Sequence, residues 1–229
     1  GRVQTPTLSM IAQREKEIRE FRPEKYYGLT LSCGGVTWTW QDGRSASTRT
    51  FSAERIEKIK SQVQGEKLTV KEVHRTTKKT YSPGLYDLTE LQRDANKRFG
   101  FSAKETLNIM QRLYENHKVL TYPRTDSRYI GKDVAETLKE RLKACCVGPY
   151  RKVAGKLISQ PLKLNKSFVD DSKVSDHHAI IPTEQFVQLE HMSSDERKIY
   201  DLVVRRFAAV LYPPCEYEQT TLKGMCGGE

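Results

Sequence analysis

No two cysteines in this chain are spaced C-x-x-C. The five present, Cys33, Cys145, Cys146, Cys215 and Cys226, are odd in number and scattered. Such a set excludes a disulfide framework and a zinc site of ordinary spacing, and it reads as reduced intracellular thiols. No apolar run approaches the roughly 20 residues that a membrane span requires, and no signal peptide is visible, so a cytoplasmic protein without a membrane partner is expected. Internal repeats and low-complexity segments are also missing, which argues against a solenoid or a linker array. The chain lacks an initiator methionine and runs from "GRVQTPTL" directly into a helix signal, as a piece of a longer protein would.

Carboxylates are scarce relative to cations. Against 39 Lys and Arg stand 29 Asp and Glu, a formal net charge of +10 in 229 residues. That balance favours polyanions, nucleic acid before membrane surface. With 37% hydrophobic residues, 11 Tyr, 7 Phe and 2 Trp, the composition is that of a folded soluble protein rather than a disordered tail. The order of predicted elements gives the expected fold class, α+β.

The periodicity changes along the chain. Thr5 suits a helix N-cap with Pro6 at the first helical position, and Leu8, Ile11, Ala12, Ile18 and Phe21 keep to one face. Alternation over Tyr27 to Cys33, a Gly34-Gly35 turn and alternation over Val36 to Trp40 predict a hairpin. A short helix is predicted over Ser52 to Gln64, with Ile56, Ile59 and Val63 inside, and a long basic strand over "KLTVKEVHRTTKKTY". Beyond the "SPG" at 82–84, helix signals dominate. Ser102 with Glu105 and Ser193 with Glu196 form capping boxes. The first of these precedes a stripe of Leu107, Met110, Leu113 and Tyr114, and Val134, Leu138, Leu142 and Cys145 form another. Pro213-Pro214 ends the last helix, and the final residues alternate again as a strand expected to return to the early sheet. The boundaries predicted are 1–24 as a helix ending a preceding domain, 25–83 with 213–229 as a β-rich hinge domain, and 84–212 as an inserted helical domain.

One loop carries chemistry that packing does not require. In "LTYPR" an extended backbone puts Tyr122 and Arg124 on the same face, where a phenol and a guanidinium can meet one phosphate. A phenol with a pKa near 10 is a poor nucleophile, and a neighbouring cation favours its ionised form and steadies charge on an attacked phosphate. Residue types alone favour the plainer alternative, a packed loop tyrosine beside a solvated arginine. Adjacent His177 and His178 have no third ligand at metal spacing, and Asp170-Asp171 is a pair of loop carboxylates without a fixed partner, so no metal is assigned to either.

The longer string "LTYPRTDSRYI" closely resembles the active-site motif of type IA DNA topoisomerases, most of all the bacterial topoisomerase III branch. "GRVQTPTL" resembles that family's helix-opening segment and "DHHAIIPT" at 176–183 its histidine motif, in the family's order. The resemblance implies that Tyr122 cuts one DNA strand and holds its 5′ end as a phosphotyrosine, without ATP. It implies that Arg124 stabilises the scissile phosphate and that His177 contacts or orients it. It further implies DNA contacts at Arg2, Gln4, Glu115, Thr125, Ser127, Arg128 and His178. In the family the Mg²⁺-binding carboxylates, a catalytic Glu and a Lys lie in a Toprim domain, which nothing in this chain resembles. The expectation is therefore a strand-gate fragment, inactive alone and without its own metal, acting on single-stranded DNA as a monomer. The helical domain is expected to swing about the Ser82-Pro83-Gly84 and Pro213-Pro214 segments. Two rivals remain beside this reading: a tyrosine recombinase, whose arginines and histidine would precede the tyrosine rather than follow it, and a non-catalytic single-strand-binding module.

Overall fold

The computed structural model describes residues 1–229 and divides them into two compact units. One comprises Gly1–Thr76 with Glu218–Glu229, and the other Thr77–Tyr217. The chain passes between them inside strand β3 (Thr69–Thr80) and returns inside its partner strand β4 (Cys215–Met225). The ion pairs along this ladder, Glu72–Lys223, Arg75–Glu218 and Lys79–Glu216, fall in antiparallel order. All six side chains are solvent-exposed, so the pairs set register more than they add stability.

The first unit opens with helix α1 (Gln4–Glu20). Val3, not Thr5, caps it, and the helix begins one residue before the predicted cap. The Thr5 N–H already donates to the Gly1 carbonyl at 3.1 Å, which draws Thr5 into the first turn. Pro6 remains acceptable there because a first-turn N–H has no helical acceptor. The predicted apolar stripe has no partner in the chain: no residue of α1 is buried, and Leu8, Ile11, Ile18 and Phe21 are all exposed.

The hairpin pairs β1 (Thr30–Cys33) with β2 (Val36–Thr39). Its turn residues, Gly34 and Gly35, take φ of 61° and 74°. A two-residue turn with both φ values positive matches the right-handed twist of the strands, and glycine enters that region without strain. Helix α2 (Ala53–Val63) follows, capped by the Ser52 side chain, and buries Ile56 and Ile59.

The second unit is helical. It contains α3 (Leu88–Phe99), α4 (Ala103–Glu115), the short α5 (Lys132–Glu136) and α6 (Leu138–Ala144), α7 (Arg151–Ile158) and the long α8 (Ser194–Leu211). Helix α8 belongs to two apolar clusters. Its first half packs Ile199, Tyr200 and Val203 among Leu91, Ile109, Met110 and Leu113. Its second half packs Phe207, Ala208 and Leu211 among Ile130, Leu138, Leu142, Leu157 and Phe168. Each such fully buried side chain contributes on the order of 1.5–3 kcal/mol by transfer from water. The buried face of α4 is rotated from the predicted stripe: Thr106, Ile109, Met110 and Leu113 are inside, while Tyr114 is exposed. Thr106 is accommodated because its hydroxyl donates to the Ser102 carbonyl at 3.0 Å.

The α8 capping box reaches beyond its own helix. Buried Glu196 accepts from the Ser193 N–H and from Arg112 Nε of α4, both at 2.8 Å, and lies 3.4 Å from His117. Burial alone pushes this carboxyl up, but the Ser193 N–H and hydroxyl, Arg112 and His117 outweigh it and hold it at about 2. A carboxyl depressed in the folded state stabilises fully above its unfolded value near 4.5, and loses that contribution as pH falls towards 2. Glu196→Gln is therefore expected to cost roughly 1–3 kcal/mol at pH 7, the scale for unmatching a buried charged hydrogen bond. Urea unfolding at pH 7 and pH 3 checks this. The gap between variant and parent should narrow at pH 3, and an equal gap at both would contradict the assignment.

Candidate active site

The Tyr122 loop follows from a turn the chain makes under constraint. Helix α4 ends at Glu115, and Lys118 then adopts φ 58°, a conformation uncommon for a side chain with a Cβ. The Thr183 hydroxyl donates to the Lys118 carbonyl at 2.6 Å and holds the turn in place. From there the chain runs beside the 177–183 segment. The Thr121 N–H donates to Ile181 at 3.0 Å, the Ile181 N–H to the Thr121 hydroxyl at 3.0 Å, and the Ala179 N–H to Tyr129 at 2.8 Å. The Tyr122 segment and the His177 segment are thus zipped together, although about 55 residues separate them in sequence.

Tyr122 is half-buried and flanked by two rings. Its centroid lies 4.3 Å from that of His177, tilted by 37°, and 5.5 Å from that of Tyr114, edge-on at 81°. It lines a broad, open cleft of about 640 Å³ together with Glu115, Lys118, Arg141 and His178. Three side chains named from the sequence therefore share the cleft, Tyr122, Glu115 and His178, with His177 stacked beside the tyrosine. Burial lowers the pKa of His178, whose Nδ1 lies 2.7 Å from the Ala179 carbonyl, and so favours the neutral ring.

Beyond Tyr122 burial alternates strictly: Pro123, Thr125 and Ser127 are buried, while Arg124 and Asp126 are exposed. Arg124 is exposed to solvent and is not among the residues that line the Tyr122 cleft. Thr125 and Ser127 do not face solvent. The Thr125 hydroxyl donates to the His177 carbonyl at 3.1 Å, and the Ser127 hydroxyl to the Lys173 carbonyl at 2.8 Å. Both hydroxyls thus fix the loop against the histidine segment. Arg128 is half-buried and donates through Nε to the Leu85 carbonyl at 3.2 Å. Arg2 and Gln4 belong to the other unit, exposed at the opening of α1.

Arg141 was not anticipated. It sits nearly buried on α6 and donates to the Thr137 hydroxyl at 2.8 Å and to the Pro182 carbonyl at 2.9 Å, while pairing with Glu184 at 2.8 Å. It braces the floor of the cleft. In the sequence it is an ordinary charged residue within "LKERLKA", and nothing marks it as buried.

The residues present do not fit a divalent metal. No group of three or more His, Cys, Asp or Glu converges anywhere in the chain. Glu184 is paired with Arg141. Asp170 accepts from Ser172, and Asp171 accepts the Lys132 N–H at 2.9 Å.

A family model described as DNA topoisomerase matches residues 1–229. DNA topoisomerase 3 of Bacillus cereus (strain ATCC 10987) is 60% identical over 230 residues, a match covering all of this chain and 31% of that protein. DNA topoisomerase 3 of Bacillus subtilis (strain 168) is 52% identical over 229 residues, covering all of this chain and 32% of that protein. Among solved structures, full-length topoisomerase I from Thermotoga maritima superposes with a TM-score of 0.69 at 28% identity, covering all of this chain and 39% of that one. The chain thus spans about a third of the length of the curated relatives it matches. No helix is long and apolar enough to cross a membrane. With its whole length matched by the family model and its fold shared with a solved topoisomerase, the chain belongs to the type IA DNA topoisomerase family.

Proposed function

We propose that this chain is the strand-cutting portion of a topoisomerase that opens and rejoins one DNA strand through Tyr122. The observation that carries the reading is the placement of the Tyr122 ring against His177, on the wall of an open cleft and one residue before a buried proline that turns Arg124 outward. In the proposed step the phenolic oxygen attacks phosphorus, losing its proton as the O–P bond forms. The bond from phosphorus to the 3′ oxygen breaks, and that oxygen takes up a proton. One phosphoester replaces another, so rejoining is the reverse displacement and needs no ATP. Arg124 supplies positive charge to the phosphate oxygens, which become more negative in the transition state. His177 acts as a positioning residue that fixes the ring plane. Thr125, Ser127 and Arg141 hold the loop and floor that His177 and Tyr122 share.

Mg²⁺, which the family uses, would be held by residues outside these 229, and the step is not routed through it. Single-stranded DNA is the proposed partner, since an open cleft in a chain of net charge +10 suits a flexible polyanion. A monomer in the bacterial cytoplasm, relaxing or decatenating DNA, completes the proposal. Of the proposed domains, 1–24, 25–83 with 213–229, and 84–212, the separation of the last from the second finds support in the division of the chain at Thr76 and Tyr217, which falls inside the strands rather than at the Ser82-Pro83-Gly84 turn, while residues 1–24 fall in the same unit as the early strands.

The test uses the full-length protein with Mg²⁺ and a 3′-labelled single-stranded oligonucleotide, denatured rapidly during turnover. Label should remain attached to protein through its 5′ side, and peptide mapping should place the nucleotide on the Tyr122 peptide. Attachment at another residue, or through the 3′ side, would overturn the reading.

A further inference from the structure

We propose that the helical unit carries a second contact for single-stranded nucleic acid, distinct from the Tyr122 cleft, in a basic recess between α7 and the ends of β3 and β4. The proposal rests on the reading above only in taking a nucleic-acid strand as the partner.

From Arg151 to Phe168 the sequence holds five cations, Arg151, Lys152, Lys156, Lys163 and Lys166, and no carboxylate. A charge run is usually a solvated face, but this one differs from the rest of its unit. Elsewhere in the unit many cations are tied to carboxylates, among them Arg93 to Glu90, Arg112 to Glu196, Arg141 to Glu184, Lys198 to Asp195, Arg205 to Asp201 and Arg206 to Asp94. None of the five takes part in an ion pair, and all five are exposed. Unpaired like charges within one short stretch repel one another, and a polyanion relieves that repulsion.

The run also borders a built concavity. Lys156 and Lys163 line a recess of about 590 Å³ with Tyr81 and Tyr212, and no acidic side chain is among its walls. Lys156 Nζ already stands 5.6 Å from the centre of the Tyr212 ring, while Tyr81 is 71% exposed. Aromatic faces beside lysines are the combination that holds an unpaired strand: bases stack on the rings, and phosphates meet the ammonium groups. A duplex keeps its base faces covered and cannot use the tyrosines in this way. The recess shares no lining residue with the Tyr122 cleft. Its position where the chain enters and leaves the helical unit suits it to a strand other than the one being cut.

Two measurements on the 229-residue chain test this. Salt titration of single-strand binding is compared between the parent and Lys156→Gln/Lys163→Gln. Losing two phosphate contacts should make the log–log slope shallower by about 1.4, at about 0.7 per contact for single strands. A single-stranded oligonucleotide carrying 5-iododeoxyuridine is then photocrosslinked and mapped. Adducts are expected at Tyr81 or Tyr212 in the parent, and these should be lost in the double variant. Both lysines are exposed, so thermal melts should coincide and exclude a folding defect. An unchanged slope, crosslinks confined to the Tyr122 loop, or an equal loss on blunt duplex would overturn the proposal. So would loss of binding to phosphatidylglycerol vesicles with oligonucleotide binding intact. Failure of the catalytic reading shows separately: recess crosslinks would persist while the full-length protein with Mg²⁺ formed no covalent adduct at Tyr122.

Discussion

In the full-length protein, Tyr122→Phe is expected to leave no DNA covalently attached, while single strands bind about as tightly as to the parent. The substitution removes one oxygen and keeps the ring, so the stacking on His177 at 4.3 Å and the edge contact with Tyr114 at 5.5 Å survive. The aliphatic hydroxyls of the loop itself cannot take over. Those of Thr121, Thr125 and Ser127 donate inward to the Ala179, His177 and Lys173 carbonyls. Binding should hold because phosphate contacts by cations dominate affinity for nucleic acid, and no cation changes. The check is a denaturing gel of protein trapped on an end-labelled strand, alongside an anisotropy titration of the same strand. Undiminished covalent product from the Phe variant would reduce Tyr122 to a packed loop residue, and lost binding with an unfolded variant would show in its circular dichroism.

The contrast between what the residues announced and what they hid is physical. Local signals held where a short-range rule governs: both capping boxes form, with Ser102 and Ser193 each accepting from the N–H three residues on, and the Gly34-Gly35 turn closes its hairpin. The α4 stripe was misread because Tyr114 looks apolar enough to bury. Its ring instead packs edge-on against Tyr122, a partner set by a loop that sequence periodicity does not see. The period-two reading of the Tyr122 loop, followed one step further, puts Thr125 and Ser127 on the face opposite Arg124, where burial finds them. Arg141 left no such trace. Its burial depends on the Pro182 carbonyl and Glu184 arriving from some 40 residues away, and only tertiary structure supplies those partners. The stripe on α1 shows the converse case, an apolar pattern that is plain in sequence and covered by nothing in this chain.

Arg124→Ala should slow cleavage by roughly 10²–10³-fold, the scale of removing one preorganised electrostatic donor from a site where charge develops. The nucleophile is untouched, so some covalent product should still accumulate, unlike with Tyr122→Phe. The side chain is exposed and joins no ion pair, and its neighbour Pro123 is buried, so truncation disturbs neither packing nor an internal salt bridge. Arg124→Lys should recover only part of the rate, because an ammonium supplies charge without the two parallel N–H groups that match a phosphate. The discriminating measurement is a single-turnover cleavage rate at saturating single-stranded DNA, read beside affinity at several salt concentrations. Loss of one ground-state phosphate contact makes the salt slope shallower by about 0.7 whatever the role of the residue. Only a residue that meets the phosphate in the transition state also lowers the rate once DNA is saturating. If Arg124→Ala weakens binding but cleaves at the parental rate under saturation, the guanidinium holds the strand in place without stabilising the step.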